Sequence, residues 1–136
     1  AHRGVAVKGF PNFFMMYGPN SNLGHSSIIL MIEAQADYLA RLLGHARQVG
    51  ASALEVRPEA EAAWNDYVQE GLAGTVWPGG CRSWYQDPRG RVFSLWPHTT
   101  SRFIREMRRA PTDEYRFSVP SQEAGSIPVL SRTPAD

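Results

Sequence analysis

The sequence has little of what marks several common classes of protein. Among its 136 residues there is one cysteine, Cys81, which excludes an internal disulfide and a multi-cysteine zinc site and is typical of a reducing compartment. Its 14 Lys and Arg against 13 Asp and Glu leave a net charge of +1, without the basic excess of a nucleic-acid-binding protein. The longest apolar run, Ile28 to Ile32, is far shorter than the roughly 20 residues that cross a bilayer.

A signal peptide is not recognisable either, because Ala1-His2-Arg3-Gly4 lacks the pattern that opens one. The length is that of one domain, which typically has about 100–150 residues. With 43% hydrophobic residues, the chain has the means to build a core. We therefore expect a cytoplasmic protein, or part of one, that binds neither nucleic acid nor a membrane.

The front half contains a short apolar segment, a turn and a long helical segment. Phe13–Tyr17 is wholly apolar and is ended by Gly18-Pro19-Asn20, a pattern that favours an interior parallel strand. A helix is predicted from about Ser26 to Gly44 or slightly beyond. Its candidate N-caps are Ser21, Asn22 and Ser26.

The first turns of this predicted helix have no polar face, because Ile28–Ile32 is apolar on every side. A helix of this kind is packed on every side, yet only one parallel-type strand precedes it. We interpret the segment as part of an incomplete α/β structure that other polypeptide completes. The alternative is an α+β domain that covers the helix with its own loops. Beyond Glu33 the predicted inward stripe is Tyr38, Leu39, Leu42 and Leu43.

The rest of the chain predicts a small subdomain of helices and irregular segments. The predicted elements are a helix from Pro58 to about Leu72, a strand at Val92–Trp96, a helix from about Thr100 to Arg109 capped by Thr99 or Thr100, and a strand at Tyr115–Val119. The division is then 1–50 for strand, turn and buried helix, 51–119 for the subdomain, and 120–136 for a flexible tail rich in Pro, Ser and Gly.

A strand, a glycine-containing turn and a helix in that order form a common ligand-binding geometry. Ligands of open α/β sheets bind beyond the carboxyl ends of the strands, where the next helix points its N-terminus. The free N–H groups and the dipole there favour an anionic or electron-rich ligand atom. Gly18 and Gly24 would let the backbone approach a flat ligand closely. Similar turns also serve only as connections, so this geometry alone leaves both interpretations open.

These residues resemble a known family. Residues 9–35 read GFPNFFMMYGPNSNLGHSSIILMIEAQ and are similar to the end of the FAD domain in class B flavoprotein monooxygenases, the Baeyer–Villiger and flavin-containing monooxygenases. Three later segments resemble the C-terminal part of the same enzymes in order and distance, namely Cys81–Tyr85, Gly90-Arg91 and Trp96-Pro97. The resemblance spans residues 4 to about 117.

The resemblance implies that this chain supplies the final strand, turn and helix of a Rossmann-like FAD domain. In the family, NADPH reduces FAD, and the reduced flavin captures oxygen as a peroxyflavin that oxidises a ketone or a soft heteroatom. The tryptophan matching Trp84 belongs to a loop that folds over NADP in some relatives. The positions that match residues beside the flavin ring are Gly18, Asn20, Leu23, Gly24 and His25.

The sequence also departs from the family pattern. It contains no Gly-x-Gly-x-x-Gly, so neither pyrophosphate-binding loop is present, and the family's central fingerprint is absent too. We therefore expect the C-terminal part of a monooxygenase that uses FAD and NADPH on a small-molecule substrate and is not competent alone. Its partners would be upstream domains, a partner chain or a second copy of itself. The alternative is a truncated relative that acts as an assembly or binding module without redox chemistry.

No residue is assigned as catalytic, and none as a metal ligand. His25 could bond the flavin or its own backbone, and Glu33 could face the ring or mark the turn of the helix toward solvent. The arginines of the third helix could bind a phosphate or form a solvated face.

Overall fold

The computed structural model describes residues 1–23, 27–77, 79, 84–109 and 112–120. Three helices and a two-stranded sheet make up the regular structure in these ranges, so the α/β class is confirmed at this level. In chain order they are α1 (Ile28–Gln48), β1 (Ala53–Val56), α2 (Pro58–Ala73), α3 (Thr100–Arg108), a 3₁₀ turn (Thr112–Glu114) and β2 (Tyr115–Ser118).

The helix boundaries follow local signals. Pro58 opens α2, and Glu59 and Glu61 lie in its first turn, where they complement the helix dipole. Thr99 caps α3, because its side chain accepts the backbone N–H of Arg102. In contrast, α1 begins after Ser27, whose side chain makes no capping hydrogen bond.

The sheet was only half predicted. β2 is confirmed within one residue, whereas β1 was missed although Leu54 and Val56 alternate with Glu55 in the manner of a half-buried strand. The two strands pair antiparallel, with Leu54 opposite Phe117.

The predictions of strands at Phe13–Tyr17 and Val92–Trp96 are wrong. In the first segment only Phe14 forms a bridge, with Ala6, and in the second only Val92 and Leu95 do. An interior parallel strand needs a partner on each side, and within the described residues Phe14 has one on one side only.

The apolar first turn of α1 is exposed in this chain. Ile28, Ile29 and Leu30 are 45%, 61% and 43% exposed, whereas Met31 is buried. Farther along, Tyr38 and Leu42 are buried, as predicted, but Leu43 is not. Glu33 is exposed, so the helix turns toward solvent there. The described residues therefore leave the first turn of this helix uncovered, as the incomplete α/β interpretation expects. No helix among them has both the length and the apolar character needed to cross a membrane.

An aromatic cluster joins α2 to α3. The rings of Trp64 and Trp96 stack with centroids 5.6 Å apart, and Phe103 meets Trp96 edge-on at 5.3 Å. Both tryptophans are buried, whereas Trp77 is 38% exposed. The cluster places the segment that contains Trp96 against the two helices.

The first residues form a buried ionic cluster that the sequence did not suggest. Arg3 is 4% exposed and donates to the Glu106 carbonyl at 2.8 Å and to the Glu114 carboxylate at 3.2 Å. His2 Nε2 lies 2.8 Å from the same carboxylate, and the Arg3 guanidinium lies 4.8 Å from the Trp64 ring centroid. This cluster holds residues 1–6 against α3 and the start of β2.

Gly71 marks a close approach between α2 and the segment after Trp96. A Cβ at Gly71 would lie 2.8 Å from Pro97 Cγ and 2.9 Å from His98 Nε2. We expect Gly71→Ala to lower the free energy of unfolding by about 1–3 kcal/mol, because neither ring can yield freely. Gly44→Ala in α1, where a Cβ meets nothing within 4 Å, should raise it by about 0.5–1 kcal/mol. Urea denaturation measures both, and a stabilised Gly71→Ala protein would contradict the packing.

Glu114 makes the stability of the fold depend on pH. Burial by itself raises its pKa, but hydrogen bonds and charge from His2 and Arg3 outweigh burial and hold the pKa below its ordinary value of 4.5. The unfolded chain therefore takes up this proton first, so the contribution of Glu114 is present above pH 4.5 and is lost as the pH falls through the folded-state pKa.

We expect the free energy of unfolding to fall below pH 4.5 with a slope that Glu114→Gln reduces. Asp66→Asn removes an exposed carboxylate in the middle of α2 and serves as the control, with the slope of the wild type. Urea denaturation between pH 3 and 7 gives all three slopes. Equal slopes in the wild type and Glu114→Gln would show that the ionic cluster is not the source.

Candidate functional site

Two segments far apart in sequence meet to form the candidate site. The backbone N–H of Asn20 donates to the Phe93 carbonyl at 2.9 Å, and that of Asn22 donates to the Ser94 carbonyl at 3.0 Å. The backbone N–H of Trp96 donates in turn to the Asn22 carbonyl at 2.8 Å. These bonds fix the turn after Tyr17 against the segment that the Trp64 stack holds in place.

A cavity of about 370 Å³ opens where the two segments meet. Its walls are mostly apolar, and it lies beside the turn that the sequence singled out. The residues that line it are Tyr17, Gly18, Pro19, Asn22, Trp84, Phe93 and Ser94. Two predicted cofactor-facing residues, Gly18 and Trp84, are therefore brought together by the fold.

Gly18 is required by a backbone contact rather than by open space at the cavity. Its N–H donates to the Gly4 carbonyl at 3.1 Å, and a Cβ on Gly18 would lie 2.5 Å from that carbonyl oxygen. The absence of a side chain at Gly18 therefore allows the backbone of the turn to approach the backbone of Gly4 closely.

Asn20 and Leu23 hold the turn in place. Asn20 adopts a φ of +58°, is 5% exposed, and donates its side-chain amide to the carbonyls of Val92 at 3.1 Å and Leu95 at 2.9 Å. Leu23 is 5% exposed and belongs to the core. Neither lines the cavity, and their predicted role beside a flavin remains a prediction. Gly24 and His25 lie outside the described residues.

Tyr17 and Asn22 were missed as site residues. The Tyr17 hydroxyl donates to Asn22 Oδ1 at 2.6 Å, and Tyr17 has a φ of +56°, which bends the chain into the turn. Burial raises the pKa of Tyr17, so the phenol is neutral at physiological pH. The apolar run that contains Tyr17 suggested a buried strand, and that interpretation hid its place at the cavity.

Trp84 presents a large apolar ring at the cavity. Its side chain is 70% exposed, and its ring centroid lies 3.9 Å from that of Tyr85. Tyr85 in turn packs edge-on against Trp77 at 5.3 Å. An exposed tryptophan supported from behind by other rings provides a flat surface on which a planar ligand can stack.

Ser94 also lines the cavity, but its hydroxyl oxygen is buried and has no hydrogen-bond partner among the described residues. Because buried polar groups are normally paired, this hydroxyl is an exception.

Comparison with known proteins identifies relatives of this chain. A Baeyer-Villiger monooxygenase of Streptomyces coelicolor is 46% identical over 139 aligned positions, which cover 100% of this chain and 27% of that protein. An FAD-binding monooxygenase of Aspergillus niger is 40% identical over 112 residues, covering 79% and 18% of the two chains. The structure of an oxidised steroid monooxygenase bound to NADP has the same fold over 88% of this chain and 23% of its own, with a TM-score of 0.74 at 22% identity. No protein-family profile matches the chain.

The sequence identity over the whole chain and the shared fold show that the chain matches part of the flavin monooxygenases. The chain belongs to the Baeyer–Villiger monooxygenase family. It spans about a quarter of the length of the curated relatives that it matches.

Proposed function

We propose that this chain is the C-terminal part of an FAD- and NADPH-dependent monooxygenase that oxygenates a ketone or a soft heteroatom in a small molecule. The observation that carries the proposal is the cavity that unites the Gly18 turn with Trp84. Both segments match the family in sequence, and the fold places them on one ligand-sized space.

The cavity suits part of a dinucleotide. Its apolar walls and the Trp84 ring fit a flat aromatic ring. A volume of about 370 Å³ is too small for a whole dinucleotide, and the sequence has no glycine-rich phosphate loop. The chain therefore supplies a wall of the cofactor site, and the pyrophosphate sites belong to the remainder of the protein.

When bound and reduced, FAD supplies the electrons and the activation of oxygen. The residues of this chain would hold and shield the ring system. Pro19, Trp84 and Phe93 would exclude water from one side, which strengthens electrostatic interactions there. The N-terminus of α1, whose cap Ser27 makes no side-chain bond, would favour negative charge on a ligand nearby.

The exposed start of α1 supports the same proposal. Ile28, Ile29 and Leu30 are exposed apolar residues that follow the predicted cofactor-facing turn in the sequence. A monomeric protein rarely leaves such a cluster exposed, so we propose that the upstream FAD domain covers it. Residues 1–50 would then be the end of a Rossmann-like FAD domain and 51–119 the C-terminal subdomain. The predicted tail, 120–136, lies outside the described residues from 121 onward.

The proposal is tested by comparing this chain with the protein encoded by the complete reading frame. We expect the 136-residue chain to bind FAD weakly or not at all in a fluorescence titration. The complete protein should hold FAD at one equivalent and consume NADPH in the presence of a ketone or a thioether. Stoichiometric binding of FAD by the 136-residue chain would refute the proposal that the cofactor site needs the remainder of the protein. A complete protein that binds no FAD would refute the proposed function.

Trp84 should matter for the nicotinamide cofactor in the complete protein. Loss of a stacked tryptophan should raise the KM for NADPH by about tenfold in Trp84→Ala, since an aromatic stack contributes on the order of 1 kcal/mol or more. Phe10→Ala removes another exposed aromatic ring, 60% exposed and outside the cavity, and serves as the control. Steady-state kinetics and a direct NADP⁺ titration measure the effect. An unchanged NADP⁺ affinity in Trp84→Ala would remove Trp84 from the site.

A further inference from the structure

Gln35 is a buried polar residue that the proposed chemistry does not use directly. It lies on the second turn of α1 and is 0% exposed. A glutamine in such a place is costly unless its amide is fully hydrogen-bonded. The hydrogen-bond partners of the Gln35 amide therefore indicate which segments this side chain stabilises.

The amide of Gln35 bonds two backbone segments at once. Its Oε1 accepts the Tyr17 N–H at 2.7 Å, and its Nε2 donates to the carbonyls of Arg3 at 3.1 Å and Gly4 at 3.5 Å. The first bond reaches the start of the cavity-lining turn, and the others reach the segment on which that turn rests.

The turn and the Gly4 segment are also in direct contact. Gly18 N–H donates to the Gly4 carbonyl at 3.1 Å, and a Cβ on Gly4 would lie 3.0 Å from Gln35 Nε2 and 3.0 Å from the Pro19 carbonyl. Gln35 thus lies behind the turn, and Tyr17, Gly18 and Pro19 line the cavity on its other side.

Tyr17 is the residue that needs this support. It is not glycine, yet it has a φ of +56°, a left-handed conformation that costs of the order of 1 kcal/mol and persists only where surrounding contacts enforce it. The bond from its N–H to Gln35 is such a contact, because it fixes the peptide on the N-terminal side of the strained residue.

We propose that Gln35 is a positioning residue for the cofactor site: its side-chain amide sets the conformation of the Tyr17–Pro19 turn and thereby the affinity for the flavin and nicotinamide cofactors. The inference rests on the proposed function, since it assigns the turn to those cofactors. Gln35 touches no reacting atom in this arrangement and acts only through the backbone of the turn.

The test uses the complete protein with Gln35→Met, Gln35→Glu and the control Gln48→Met at the exposed end of α1. Methionine matches the size of glutamine but forms neither bond. We expect Gln35→Met to bind FAD and NADP⁺ on the order of tenfold more weakly, with a changed flavin absorbance spectrum. Hydrogen exchange of the Tyr17 amide should accelerate on the order of tenfold. Gln48→Met should change none of these.

Gln35→Glu separates positioning from packing. When protonated, its carboxyl offers an acceptor to Tyr17 N–H and a donor to the Arg3 carbonyl, as glutamine does; when ionised, it offers no donor. Burial raises the pKa of such a carboxyl, so the affinity of Gln35→Glu relative to wild type should recover as the pH falls from 9 to 6. The ratio for Gln35→Met should not change with pH. A merely structural role would lower the melting temperature and leave the cofactor affinity of the folded protein unchanged.

The outcomes are distinguishable. If the wild type binds FAD and Gln35→Met binds it equally well, the inference is refuted and the proposed function stands. If Gln35→Glu is as weak as Gln35→Met at every pH, the hydrogen bonds are not what matters and the inference is again refuted. If the wild type binds no FAD, both are refuted, even where exchange of the Tyr17 amide responds to the substitutions.

Discussion

The contact between Gly18 and Gly4 is the constraint on which the candidate site depends. A Cβ on Gly18 would lie 2.5 Å from the Gly4 carbonyl oxygen, so only glycine permits the N–H of Gly18 to bond there. Gln35 reinforces this contact from α1, and the Asn20 amide fastens the other side of the turn to Val92 and Leu95. These contacts fix the backbone of the turn and thereby the positions of the side chains that line the cavity.

The chain combines a well-packed core with an exposed apolar helix start. The buried cluster of His2, Arg3 and Glu114 and the stacked Trp64 and Trp96 hold the helices together on one side. On the other side the start of α1 exposes Ile28 and Ile29. The buried side chains form the core, and the exposed start of α1 is the surface that we propose the upstream FAD domain covers.

Several elements were predictable because their signals are local. Pro58 with Glu59 and Glu61 marks the start of α2, and Thr99 marks the start of α3. The family resemblance was carried by a contiguous run of residues and was therefore visible as well. The strand prediction at Phe13–Tyr17 was wrong, because an apolar run has the same pattern in a buried strand and in an irregular segment.

Local chemistry in the chain was enough to determine the three helices, β2 and the family. Contacts over long distances decided the rest: Gln35 lies 18 residues from Tyr17 along the chain, and Asn20 lies 72 residues from Val92. Nothing near Gln35 or Asn20 in sequence shows which carbonyl or N–H each amide will meet. That pairing, and with it the cavity, exists only once the helices and the turn have packed together.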